Sequence, residues 1–233
     1  MFQCKICGVR LEQDVVVVED SGADAVGLNF FPPSVRYLDP EADSTSVLAE
    51  SARRRELMVV GVFVNESIEF LRRVAEQVGL DAIQLHGDEP LEVAEQLIGA
   101  GQRVVRAVKI PRGPFRPHQL EELGARWRDV GCHLLLDVDA GSAHGGSGKT
   151  LHWESVRAWA KTDAAGDKWT LAGGLKPENL SKAMQTSGAR SVDTASGVEC
   201  PKGVKNAGRV RSFVEAFREA TASDGSPSDE IAG

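Results

Sequence analysis

At 233 residues, with 42% apolar and 26% charged side chains, the chain is long enough to bury a full core and short enough to fold as one α/β unit. A formal net charge of −7 argues against nucleic acid or an anionic membrane surface as the main partner. Four scattered cysteines, Cys4, Cys7, Cys132 and Cys200, are too few for a disulfide scaffold. Every apolar stretch is strand-sized, so no membrane span is expected. The opening Met1-Phe2-Gln3-Cys4-Lys5 lacks a leader pattern, which makes the cytoplasm the expected compartment.

The first predicted strand, Gln3–Gly8, holds Cys4 and Cys7 in a C-x-x-C spacing. No second cysteine pair exists to complete a zinc site, and residues three apart on a strand point to opposite faces. Cys7 stands at the strand's carboxyl-terminal end. It reads either as a small buried residue or as a thiolate whose pKa Lys5 or nearby amides lower. The second strand, Ala25–Phe30, leads through Pro32-Pro33-Ser34-Val35 to Arg36, which is either solvated or a bidentate fork for a substrate carboxylate.

The third strand, Leu57–Val64, is a nearly continuous apolar run, as expected of a strand buried on both faces in a parallel sheet. A helix follows over Ser67–Val78, with Ile68, Leu71, Val74, Ala75 and Val78 on one stripe, Asn65 as N-cap and Gly79 as stop. The fourth strand, Ala82–His86, places His86 at its end, either as a substrate-binding residue or as a hydrogen-bonded positioning residue. Pro90 then opens the next helix. The fifth strand is Val104–Ile110.

In the sixth, His133–Val138, Asp137 closes the Leu134-Leu135-Leu136 run as a loop cap or a catalytic acid, with Asp139 two residues on. Gly145-Gly146-Ser147-Gly148-Lys149-Thr150 follows. It is not a P-loop, because Ala143 stands where that motif needs glycine. The seventh strand, Trp169–Ala172, runs into Gly173-Gly174 and a helix opened by Pro177. The eighth, Ser191–Thr194, runs into Ser196-Gly197 and a helix over Arg209–Ala220.

Eight strand–helix units predict a single (β/α)8 barrel, an α/β fold, over residues 1–221, with residues 222–233 as a disordered tail. Glycine-rich turns after strands six, seven and eight place bare backbone amides at strand-to-helix junctions. They point to a cradle for a phosphorylated small molecule, formed by Gly145, Gly146, Gly173, Gly174, Ser196 and Gly197. No metal or cofactor motif is present.

In order and combination, these segments resemble the phosphoribosylanthranilate isomerase family. The likeness rests on Lys5-Ile6-Cys7-Gly8, Ser34-Val35-Arg36-Tyr37, Gln84-Leu85-His86-Gly87, Leu135-Leu136-Asp137, the loop-six glycines, Leu171-Ala172-Gly173-Gly174-Leu175 and Ser196-Gly197-Val198-Glu199. The resemblance implies a cofactor-free, metal-free Amadori rearrangement in tryptophan biosynthesis. It implies Asp137 as general acid, Cys7 as general base and Arg36 as the grip on the anthranilate carboxylate, with either a monomer or a homodimer as the assembly. Three positions depart from the family's usual residues: Asn29, His152 and Asn206. The alternatives are another phosphate-binding barrel (an epimerase, or a dual histidine- and tryptophan-pathway isomerase) and a non-catalytic phosphometabolite-binding barrel. The first is disfavoured by Cys7 and Lys109 at the ends of strands one and five, the second by the presence of both Cys7 and Asp137.

Overall fold

A computed structural model describes residues 1–138, 150–162 and 164–224. Eight parallel strands close into a barrel in sequence order: β1 (Cys4–Cys7), β2 (Ala25–Asn29), β3 (Met58–Phe63), β4 (Ala82–Leu85), β5 (Val104–Ile110), β6 (His133–Val138), β7 (Trp169–Leu171) and β8 (Val192–Thr194). The ring is sealed by β8 against β1, with Lys5 opposite Asp193 and Ile6 opposite Thr194. Around it lie α1 (Glu12–Ser21), α2 (Asp43–Arg54), α3 (Ile68–Val78), α4 (Leu91–Gly99), α5 (Pro117–Asp129), α6 (Trp153–Ala160), α7 (Pro177–Ser187) and α8 (Ala207–Asp224). None of the described helices is long and apolar enough to cross a membrane.

The period of two along each strand divides the side chains between two cores. Cys4, Ile6, Val26, Leu28, Val59, Ile83, Leu85, Leu134 and Leu136 point outward into the layer shared with the helices. Phe2, Ala25, Val60, Ala82, Val105, Ala107, Leu135 and Ala172 fill the barrel interior. Because both faces are buried, the strands read as unbroken apolar runs. The same alternation sends Cys4 into the outer layer, while Cys7 lines the opening at the barrel's carboxyl-terminal end.

Two local expectations need correction. The N-cap of α3 is Ser67, whose hydroxyl accepts from Phe70 N–H (3.2 Å), and not Asn65. Asn65 instead takes a left-handed conformation (φ 57°), and its Oδ1 accepts from Asp88 N–H (2.6 Å) in the loop after β4. The expected tail does not begin at Ala222, since α8 continues to Asp224. The remainder of that tail, 225–233, lies outside the described residues.

Two of the departures from the family pattern keep a helix-capping function. His152 Nδ1 accepts from Ser155 N–H at the start of α6 (3.3 Å), and Asn206 Oδ1 from Arg209 N–H at the start of α8 (3.0 Å).

Candidate active site

The carboxyl-terminal ends of the strands surround a cavity of about 390 Å³. It is lined by Cys7 (β1), Asn29 and Arg36 (β2 and its loop), Gln84 and His86 (β4 and its loop), Asp137 (β6), Gly173 and Gly174 after β7, and Asp193 and Ser196 on β8 and its loop. Seven of the expected site residues therefore meet in one place: Cys7, Arg36, His86, Asp137, Gly173, Gly174 and Ser196. Gly197 stands one residue behind the lining, packed so closely on the Leu175 carbonyl that a Cβ would lie 1.9 Å from it. Gly145 and Gly146 lie outside the described residues, as does Asp139.

Cys7 is 8% exposed. A Cβ on Gly27 would sit 2.7 Å from its Sγ, so the bare backbone of β2 leaves the thiol its room. Beneath it, fully buried Lys5 donates to Asp193 Oδ1 (2.7 Å). The sequence left open a small buried residue or a thiolate of lowered pKa, and the structure does not lower it. Burial pushes the Cys7 thiol up, and the pull of Lys5, Lys205 and Arg36, opposed by Asp193, does not overcome it.

Asp137 Oδ1 accepts from Val138 N–H (2.8 Å), and Oδ2 lies 3.3 Å from His86 Nε2. His86 Nδ1 lies 2.9 Å from Gln84 Nε2. The loop carrying His86 is anchored from below by Glu89, which accepts from Gly87 N–H, Asn65 N–H (2.8 Å) and Arg106, whose guanidinium stacks 4.3 Å from the Trp127 ring centre. Behind Asp137, Gly173 has φ 79°, and a Cβ there would lie 2.9 Å from Val138 N and 3.0 Å from Asp137 Oδ1. Glycine at 173 is thus what lets loop seven close over the carboxylate.

Arg36 lies across Gly8, where a Cβ would meet its Cδ at 2.3 Å. Its Nε and Nη2 donate to Glu199 Oε1 (2.6 Å) and Oε2 (2.8 Å). That pair occupies one edge of the fork; the Nη1–Nη2 edge carries the donors left for a ligand. Glu199 also accepts from Lys205 (2.8 Å) and Gly203 N–H (2.8 Å). Burial acts to raise its pKa, but these donors outweigh it and hold the carboxyl at about 2.

Glu199, Lys202 and Gln84 are site residues to which the sequence reading gave no role. Glu199 and Gln84 stand inside motifs it singled out, yet the bond of Glu199 to Arg36 spans 163 positions and the burial of Gln84 comes only with the closed barrel. Asn29 lines the cavity, and its Oδ1 accepts from Phe31 N–H (2.9 Å), so it shapes its own loop.

The sequence matches a family model described as N-(5'phosphoribosyl)anthranilate (PRA) isomerase over residues 4–216. A relative in Myxococcus xanthus (strain DK1622), named N-(5'-phosphoribosyl)anthranilate isomerase, is 39% identical over 219 residues, covering 92% of this chain and 95% of that one. The fold superposes on the solved phosphoribosyl anthranilate isomerase from Thermotoga maritima with a TM-score of 0.81 at 32% identity, covering 94% and 100% of the two chains. Another solved isomerase, in complex with reduced 1-(o-carboxyphenylamino)-1-deoxyribulose 5-phosphate, superposes with a TM-score of 0.78 at 31% identity.

Proposed function

The chain belongs to the N-(5'-phosphoribosyl)anthranilate isomerase family, and from that premise we propose how its residues divide the work. The reaction is the isomerisation of N-(5-phosphoribosyl)anthranilate to 1-(2-carboxyphenylamino)-1-deoxyribulose 5-phosphate in tryptophan biosynthesis. Asp137 is the general acid. Its proton goes to the ribose ring oxygen as the C1′–O bond breaks, and the anilino nitrogen lone pair forms a cationic Schiff base. Cys7 is the general base. Its thiolate takes the C2′ proton, the released electron pair forms the enolamine, and tautomerisation gives the ketone.

What supports this division is that Cys7 and Asp137, from strands on different sides of the barrel, line one cavity of about 390 Å³. A buried thiol with a raised pKa suits the sequence of events. The cation formed in the first step is the charge that favours thiolate in the second. Arg36, held on one edge by Glu199, offers its free edge to the anthranilate carboxylate, with Phe31, Pro33 and Val35 beside it for the ring. The phosphate rests on the amides of Gly174 and Ser196, with Lys202 nearby. Its binding energy fixes the ribose between acid and base.

We assign the enzyme to the cytoplasm, because its base must stay a free thiol, as Cys4, Cys7, Cys132 and Cys200 all are. The test is turnover by Cys7→Ala and Asp137→Asn. Each loses activity while still binding a reduced product analogue, and near-native kcat in either removes that residue from its role.

A further inference from the structure

The catalytic cavity contains one polar atom that neither the fold nor the acid–base pair explains. Gln84 sits in β4 with 1% of its surface exposed, between Val62 of β3 and Val105 of β5 in the sheet register. Its Nε2 faces His86 Nδ1, whereas its Oε1 is buried without a hydrogen-bond partner among the described residues. An apolar side chain of the same size would avoid that unmade bond. What glutamine adds at this position is its contact with His86.

His86 passes that contact on to Asp137. A neutral imidazole has one donor and one acceptor nitrogen, so whatever faces Nδ1 decides what Nε2 can do. With the Gln84 amide NH2 toward His86, Nδ1 is bare, Nε2 carries the hydrogen and the facing Asp137 is a carboxylate. With the amide turned over, Oε1 accepts from Nδ1–H. One further proton then sits between Nε2 and Oδ2, either as carboxylic acid against neutral imidazole or as carboxylate against imidazolium. Turning the amide needs only rotation about a terminal torsion that is broad and roughly two-fold. Either orientation leaves the far end of the amide unpartnered, so both are accessible.

We infer that Gln84 is a positioning residue for the acid step. By presenting either its NH2 or its carbonyl to His86, it sets whether the His86–Asp137 pair holds the proton that opens the ribose ring. The inference rests on the reading of Asp137 as the acid. The other charged groups around the pair are Cys7, Arg36, Asp193 and Lys202 in the cavity, Lys109 opposite Asp137 on β5 with its partner Asp88, and the Glu89–Arg106 pair below the loop. None of them changes in a Gln84 variant.

The experiment compares pH profiles of kcat for Gln84→Met, Gln84→Glu and Asp137→Asn with the same substrate. Gln84→Met, which can neither donate nor accept at Nδ1, lowers kcat by about tenfold or more with KM within about twofold. Its alkaline limb moves to lower pH. Gln84→Glu keeps an acceptor for Nδ1–H, and its limb moves to higher pH. A limb unmoved in Gln84→Met, or moved the same way in both variants, overturns the inference even where Asp137→Asn is inactive. Near-native turnover by Asp137→Asn removes the acid assignment and the inference with it. Should Gln84→Met fail to fold, Gln84→Glu and imidazole 15N shifts decide: in the wild-type enzyme Nδ1 must gain its proton as the acid loads, and a ring that stays Nε2-protonated alone throughout overturns the proposal.

Discussion

The two ends of the barrel hold charge in opposite ways. At the carboxyl-terminal mouth the buried cations are paired: Lys5 with Asp193, Arg36 and Lys205 with Glu199, Arg106 with Glu89. At the amino-terminal foot a larger cavity, about 770 Å³, is ringed by Arg103, Arg157, Lys161, Lys168 and Arg190. All five are exposed, and none enters an ion pair among the described residues. Size therefore does not mark the site. Exposed cations keep their water and are screened within about 8 Å at physiological salt. The mouth has its charges fixed in place before a substrate arrives, which is what lets dipoles and donors act without reorganising.

The largest expected effect tests that contrast directly. Cys7→Ala or Asp137→Asn at the mouth lowers kcat by roughly 10²–10⁴-fold, the range of a single positioned proton transfer. An Arg157→Ala/Arg190→Ala double variant at the foot leaves kcat and KM within about twofold. Steady-state kinetics on the three proteins decide it, and a comparable loss from the foot variant breaks the contrast.

A smaller effect separates fixed charge from mere presence of charge. Glu199→Gln leaves Arg36 and Lys205 buried without their counter-charge, at a cost of ~3 kcal/mol. At this chain length that is about 6–12 °C in Tm. KM rises more than kcat falls, because the guanidinium loses its anchor. The wild-type protein shows the same contribution through pH. Glu199 sits at about 2 in the fold against an ordinary 4.5, so its stabilisation is whole above pH 4.5 and drains away as pH falls toward 2. A variant with wild-type Tm and KM would show the pairing to be idle.

What the sequence made legible follows from which interactions are local. Eight strands could be placed to within a residue or two, since burial on both faces writes itself as apolar runs such as Val59-Val60-Gly61-Val62-Phe63. Period-two alternation was enough to separate Cys4 from Cys7. Asn65 was misplaced as a cap because its real partner, Asp88 N–H, belongs to another loop, while Ser67 made the local bond. The Arg36–Glu199 pair spans 163 positions, and no spacing rule reaches that far. Lys5 could be seen beside Cys7, but the burial that outweighs it exists only once the barrel closes.

The subtlest test concerns acid, where the foot and the mouth should yield in turn. His133 lies at the foot, 6% exposed, with Nε2 on Thr170 Oγ1 (2.8 Å), and a hydroxyl chain continues through Ser191 to the Phe2 carbonyl. Burial, with the amino-terminal charge and Lys168 adding to it and Asp167 opposing, holds its pKa down at about 4 against an ordinary 6.5. Between those values the unfolded chain binds a proton that the folded one refuses, so stability falls as pH drops from 6.5 and levels off below about 4. The whole window is worth ~3 kcal/mol, and by pH 5 about 2 kcal/mol of it is gone. This precedes the loss at Glu199, which starts only near pH 4.5. His133→Gln keeps a hydrogen-bonding side chain without the titration, so urea unfolding at pH 7 and pH 5 should show a drop smaller by about 2 kcal/mol than in the wild type. Equal drops in the two proteins would assign the early acid loss to some other group and leave the foot with no titrating role. The smaller drop, with kcat at pH 7 unchanged, would place acid sensitivity at one end of the barrel and catalysis at the other.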